Sequence, residues 1–406
     1  MYYRQPKYYG EFSCIGPECT ANCCYGWRID WKKDEIDKVK NAPNCSAELK
    51  EKIENSFVPR PEKGEDAFVV KLDEHGMCPC ITEEGLCSIQ KELGAEYMSR
   101  TCMTYPRYNS FVNGLNSAVY RGCNLSCKEV VRKLVTDEKA TELINVAKNT
   151  SDHAGLICRF TKEDVAAHPE LAYHGEIFDF FYELIGDKKC SVETSIVLGA
   201  LAAHNLTALI ANKEHDRIPE ALKTFRKDAH NAAGLRAVDS IKPNYDVCFG
   251  VADEIIEGSL GFNIIQLLKD EDGKLAVSRY LAGEEKLNEM MKDKPFWLRN
   301  IALDLLLELG MPFKSIDHTV FENYSYFVTA VSCIKLNAIA AAFAPEKVGV
   351  HFGGHDSRFE GIDKIYGTTG MISRSVFQNK DSFEKVINAL GKIGINSPIH
   401  LALLVK

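Results

Sequence analysis

Four thiols lie within eleven residues near the start of the chain: Cys14, Cys19, Cys23 and Cys24. A second group follows, with Cys78 and Cys80 either side of Pro79, then Cys87, Cys102, Cys123 and Cys127. Thiolates on short loops converge readily on tetrahedral zinc or iron at about 2.3 Å per bond, so this spacing points to a bound metal or an iron–sulfur cluster. The bland alternative is a set of small buried hydrophobes, because free cysteine buries well. Of 15 cysteines in 406 residues, 11 fall in the first 127, which makes the front of the chain the thiol-rich end. Cys127 falls in the first turn of a helix begun at Ser126, where orphan N–H groups and the helix dipole favour the thiolate. Tyr105, Arg107 and Tyr108 stand nearby as candidate catalytic groups, phenols to guide a proton and a guanidinium to hold a carboxylate or steady thiolate charge. Tyr120, Arg121, His351, His355 and Asp356 are further candidates of the same kinds.

These residues need a frame. Up to about residue 128, prolines and glycines separate brief runs; 30–41 and 87–95 read as helices, and 67–72 and 114–120 as short strands. Ser126 with Glu129 three residues on forms a capping box that should start a helix running to about 148. Apolar residues at three and four spacing then predict helices at 169–186, 193–212, 217–240, 248–269, 276–292, 296–309, 318–344 and 382–393. The expected fold is mainly α: a small irregular α+β cysteine-rich metal-binding module over 1–128, then a large all-α helical domain over 129–406. Its one expected interruption is a Gly/His-containing loop near 348–370, with Gly353, Gly354 and Gly361.

A formal net charge of -8 and a pI near 5.8 supply no basic field for a phosphate backbone, so no nucleic-acid partner is expected. Hydrophobic and charged fractions of 45% and 26% are those of an ordinary globular protein. The apolar stretch 195–211 contains His204 and Asn205 and falls short of the roughly 20 residues of a membrane span, so it reads as a buried helix, and no membrane partner is expected. An odd cysteine count, with no charged and apolar leader after Met1, predicts reduced thiols in the cytoplasm. No strand is followed by a Gly-x-Gly-x-x-Gly turn, which argues against a Rossmann-type cofactor domain. Gly26 occupies the place of the third cysteine in the common radical S-adenosylmethionine spacing after Cys19 and Cys23.

Taken together, residues 14–27, 78–94, 101–107 and 125–129 resemble the flagellin lysine-N-methylase family, whose shorter relatives are cysteine-cluster zinc- or iron-chelating proteins. The resemblance covers roughly the first 130 residues. It implies a cytoplasmic bacterial lysine N-methyltransferase that moves a methyl group from S-adenosylmethionine to lysines of flagellin or a similar surface protein, with a 4Fe-4S cluster, or zinc as the alternative. The family's cysteines match Cys14, Cys19, Cys23, Cys24, Cys78, Cys87, Cys102 and Cys127. Cys80 stands where the family usually has an aromatic residue, Cys123 is extra, and Lys128 replaces a usual proline. A second reading is a non-catalytic zinc- or iron-binding protein-interaction module, and a third is a redox or metal-handling protein whose thiols themselves react.

Overall fold

A computed structural model describes residues 2–112, 118–147, 154–229, 231–242, 244–256, 264–352, 355–379 and 381–406. The protein is mainly helical, and its helices gather on Val320–Phe343, which is buried along nearly its whole length. Thr319 starts that helix with a capping box: its hydroxyl accepts from the Glu322 amide at 3.1 Å, and the Glu322 carboxylate accepts from the Thr319 amide at 2.8 Å. Asn323 survives in this apolar setting because Ser315 and Thr319 satisfy its side-chain amide. Helices Val192–Ala211, Val277–Met290, Trp297–Leu309, Asp363–Ile372 and Pro398–Val405 pack around it. By length and composition alone, Val192–Ala211 and Val320–Phe343 are long and apolar enough to cross a membrane; 89% of the second one's apolar window is buried inside the protein.

A five-stranded mixed sheet completes this body, in the order Leu143–Ala147, Tyr2–Pro6, Val119–Cys123, Arg107–Val112, Gly155–Phe160. Tyr3 lies opposite Val119 in parallel register and opposite Val146 in antiparallel register. Arg107 lies opposite Cys123, and Tyr108 opposite Gly155. The middle strand Val119–Cys123 is buried at every position, as expected of a strand covered on both faces.

A separate small core holds Ile29, Trp31, Val39, Leu49, Ile53, Val70, Cys80 and Ile89. Strands Asp30–Lys32, Ala67–Val70 and Phe57–Pro59 form its sheet in that order, flanked by helices Lys33–Lys40 and Ala47–Ser56. Tyr8, Tyr9, Phe12, Tyr120, Cys123 and Leu125 belong instead to the large core with the helices. Residues of the span 1–128 thus contribute to both cores.

The back two-thirds are not all-α. The helix Lys128–Thr136 ends well short of 148, and Leu143–Ala147 pairs with Tyr2–Pro6, because this run of apolar and β-branched residues finds a strand partner near the chain's start. Residues 217–240 form two helices, Ile218–Asp228 and Ala232–Asp239, rather than one. The segment 348–370 is not a loop: Lys347–Phe352 pairs antiparallel with His355–Glu360, and Asp363–Ile372 is helical. Gly353, Gly354 and the side chains of His351, His355 and Asp356 lie outside the described residues, as do residues 114–117 of the strand expected at 114–120.

Candidate cysteine site

Short-range backbone bonds bring the two cysteine groups together. The Cys78 amide donates to the Cys24 carbonyl at 3.0 Å, and the Gly26 amide to the Gly76 carbonyl at 2.7 Å, so residues 24–26 and 76–78 run as a miniature antiparallel pair. Gly26 makes the turn with φ of 66°, in the left-handed region where a Cβ is unfavourable. The Cys80 carbonyl accepts from the Ser88 amide and hydroxyl at 2.7 and 2.9 Å, which sets Cys87 at the start of helix Ser88–Leu93. Ser99 caps helix Arg100–Thr104 by accepting from the Cys102 amide at 3.1 Å, and Cys127 occupies the N-cap of Lys128–Thr136.

The result is a convergence of thiols from five segments. Cys23 with Cys24, and Cys78 with Cys80, lie close enough to shift each other's titration. Cys102 lies within the field of Cys78, Cys87 and Cys23; Cys127 within that of Cys19 and Cys23; and Cys14 marks the outer edge beside Cys19. The described cysteines are all free thiols. Burial pushes Cys102 and Cys127 up to about 12. At Cys127 this outweighs the Val130 and Glu129 amides, so the helix start does not by itself give the thiolate that its position led us to expect. Cys23 moves the other way, because the neighbouring Cys24 thiol favours its thiolate.

Donor type and proximity suit a soft metal or an iron–sulfur cluster. Among the described residues, however, no three Cys, His, Asp or Glu side chains are arranged to hold a metal ion. Cys80, which the sequence reading left out of the ligand set, is 2% exposed and sits among Cys78, Cys87 and Cys102. Cys123 belongs to a different environment, wholly buried beside Tyr8 and Asp304.

Of the three catalytic candidates, the structure brings Tyr105 to the cysteines. Its ring meets Trp27 edge-on at 4.9 Å, its hydroxyl lies 3.0 Å from Ser126 Oγ, and its charged neighbours are Arg374, Cys127 and Cys23. Burial raises its pKa, keeping the phenol protonated. Arg107 turns toward the N-terminal segment, stacking over Phe12 and donating to the Phe12 carbonyl at 2.6 Å. Tyr108 is 2% exposed, with its hydroxyl close above Gly122 and its field set by Asp304 and Glu308. Tyr120 packs on Phe178, and Arg121 stacks over Tyr3 while donating to Asn109 and Gln5.

The contacts that close the site come from the far end of the chain. Lys128, 5% exposed, places Nζ 2.7 Å from Asp363 and beside Thr20 Oγ1, and Thr20 Oγ1 donates to Asp363 at 3.0 Å. Arg374 faces Cys23 and Tyr105 from the π-helical turn Ser373–Phe377. The sequence reading found neither contact, since no local spacing links residue 20 to 363 or 23 to 374.

Comparison with known proteins adds to this geometry. The model of the FliB lysine N-methylase C-terminal domain matches residues 178–404. The flagellar biosynthetic protein FliU of Salmonella muenchen is 28% identical over 154 residues, 37% of this chain and 87% of that protein. Lysine-N-methylases of Salmonella typhimurium and Salmonella choleraesuis are each 28% identical over 141 residues, 34% of this chain and 34% of theirs. The matched stretch thus spans about a third of each of these two relatives. No solved structure matches the chain.

Proposed function

Because this chain belongs to the FliB lysine N-methylase family, we propose that it transfers methyl groups from S-adenosylmethionine to lysine side chains of flagellin or a similar flagellar protein, in the reducing cytoplasm. We further propose that the front cysteines hold an iron–sulfur cluster on which this activity depends. One observation carries the reading: Asp363 and Arg374, both within the family's domain, reach the loop that bears Cys19, Cys23 and Cys24. These contacts support reading the family domain and the thiols as parts of one site.

Cys19, Cys23, Cys24, Cys78, Cys87, Cys102 and Cys127 are the residues that would hold the cluster, with Cys14 at the edge and Cys80 as an inner reserve. When bound, S-adenosylmethionine supplies an electrophilic methyl on a sulfonium. The chain's own work is then to bind a lysine as the neutral amine and to keep water away from the displacement. Trp27 and Tyr105 cover one side of the thiols with aromatic surface, and Lys128 with Asp363 pins the loop in place.

The test is metal and sulfide analysis of protein purified without oxygen, with mass spectrometry of flagellin co-expressed with it. Iron with sulfide, and flagellin lysines heavier by methyl increments, are expected. Colourless zinc protein that leaves flagellin unmodified would replace this reading with the non-catalytic interaction module.

A further inference from the structure

A cleft of about 460 Å³ opens between the start of helix Val192–Ala211, one face of helix Val277–Met290 and the start of helix Trp297–Leu309. It lies wholly inside the span matched by the family's domain. Trp297 and Met291, both buried, give it an apolar wall. Glu193 and Lys335 form a largely buried ion pair within it at 3.0 Å. Lys335 also reaches the Val405 carbonyl at 3.3 Å, which leaves one ammonium hydrogen beside the lone pairs of Glu193. Arg299, in the same wall, is already committed to the Asp187 and Cys190 carbonyls, both at 2.6 Å. The rim carries half-buried Glu284 and exposed Lys292, neither of which has a hydrogen bond or ion pair among the described residues.

These features select a ligand chemistry. The Glu193–Lys335 pair is neutral as a unit, so it suits a neutral polar tip that both donates and accepts rather than a further charge. Trp297 and Met291 suit a flat apolar body behind that tip. A tyrosine side chain has both parts, and the cleft is roomy enough for it and the adjoining backbone. The opposite, unspent charges on the rim complement a polypeptide with a basic residue near Glu284 and an acidic one near Lys292. We propose that the cleft docks an extended segment of the protein substrate, with a tyrosine inserted between Trp297 and the Glu193–Lys335 pair and one residue of each sign beside it. This rests on the methyltransferase reading above and adds how the substrate is held. Trp297 begins the helix whose Glu308 accepts from the Leu125 amide at 2.8 Å, close to Cys127. At about 1.5 Å per residue that helix covers roughly 16 Å between the two, the length of about five residues of extended chain. The docked tyrosine and the lysine to be methylated are therefore at least about five residues apart.

The test is fluorescence polarisation of the whole chain with short labelled peptides that place tyrosine between a lysine and a glutamate on a glycine–serine background. Replacing the tyrosine with phenylalanine should weaken binding about two- to tenfold, and replacing it with alanine about tenfold or more. The parent protein should prefer this peptide by about two- to fivefold over those with two lysines or two glutamates. Glu284→Lys should move the preference to the two-glutamate peptide, and Lys292→Glu to the two-lysine peptide. A loss below about twofold on removing the tyrosine, or a preference that neither rim variant moves, overturns the inference. So does free tyrosine competing as well as the peptide, which would give the cleft to a small molecule. If docking fails while flagellin co-expressed with the protein gains methyl groups on its lysines, only the docking site falls. If docking holds and flagellin stays unmodified, the methyltransferase reading falls instead.

Discussion

The Tyr8 hydroxyl donates to Asp304 Oδ1 at 2.5 Å, joining residues 296 positions apart in a wholly buried setting. The same hydroxyl accepts from the Cys123 amide at 3.0 Å. Three distant parts of the chain therefore meet on one oxygen: the N-terminal segment, the middle strand and helix Trp297–Leu309.

Asp304 is 0% exposed, and burial raises its carboxyl well above the usual range. The folded protein thus keeps a proton there that the unfolded chain gives up above about pH 4. The folded state binds more protons in that interval, so this group's contribution falls as pH rises. Asp304→Asn, a neutral mimic of the protonated acid, should be more stable than the parent at pH 8 and no more stable at pH 4. Urea unfolding at the two pH values checks this; a parallel loss at both would refute it.

His174 acts at the other end of the scale. Burial first, and the nearby Arg159 second, lower its pKa to about 4, with the Tyr120 and Phe313 rings beside it. The unfolded chain protonates its imidazole near 6.5, before the folded protein does, so stability is complete above that pH and drains away as pH falls toward 4. The full effect is about 3 kcal/mol. His174→Phe should flatten the difference in unfolding free energy between pH 7 and pH 4.5 by an amount of that order.

Lys128→Met should loosen the site without unfolding the protein. It leaves Asp363 and Thr20 without their shared cation, a loss of roughly 2–4 kcal/mol for a mostly buried pair. Hydrogen exchange should speed up in residues 19–27 and 363–372 and stay unchanged in Ala47–Ser56, which belongs to the small core. Uniform acceleration would show that the clamp is not local.

Cys24→Ala should lower iron binding several-fold in anaerobic reconstitution, whereas Cys45→Ala should leave it unchanged. Cys45 is buried in the small core and has Glu92 and Lys50, not another thiol, as its charged neighbours. Equal loss in both variants would mean that iron binding reports folding rather than ligation.

Gly199→Ala probes how tightly the helical body is closed. A Cβ there would fall 2.0 Å from the Tyr324 hydroxyl, which donates to the Ile196 carbonyl at 3.0 Å. Overpacking predicts a loss of about 1–3 kcal/mol, read as a lower melting temperature.

Much of the helical body was legible because its information is local. Val320–Phe343 and Trp297–Leu309 follow from apolar runs with clear starts, and the thiol-rich front from spacing alone. Leu143–Ala147 was misread because its apolar residues also fit a helical continuation of Lys128–Thr136; its strand character depends on Tyr2–Pro6, which no window contains. Cys80 was set aside for departing from a family pattern, although its burial among three thiols makes it part of the site. Arg374 gave no signal at all. A lone arginine has no periodicity, and its nearness to Cys23 and Tyr105 depends on segments hundreds of residues apart that no local window contains.

The sheet order has a consequence for synthesis. Tyr3 pairs with Val119 and Val146, so its strand is made well over a hundred residues ahead of either neighbour. At about 5–20 residues per second, it waits on the order of ten seconds with both edges open. The small core, from Ile29 to Ile89, is translated in full during that wait, and so are all the cysteines from Cys14 to Cys102. The thiol loops therefore meet the cellular milieu, and whatever it delivers to them, before the body that will cover them has been made.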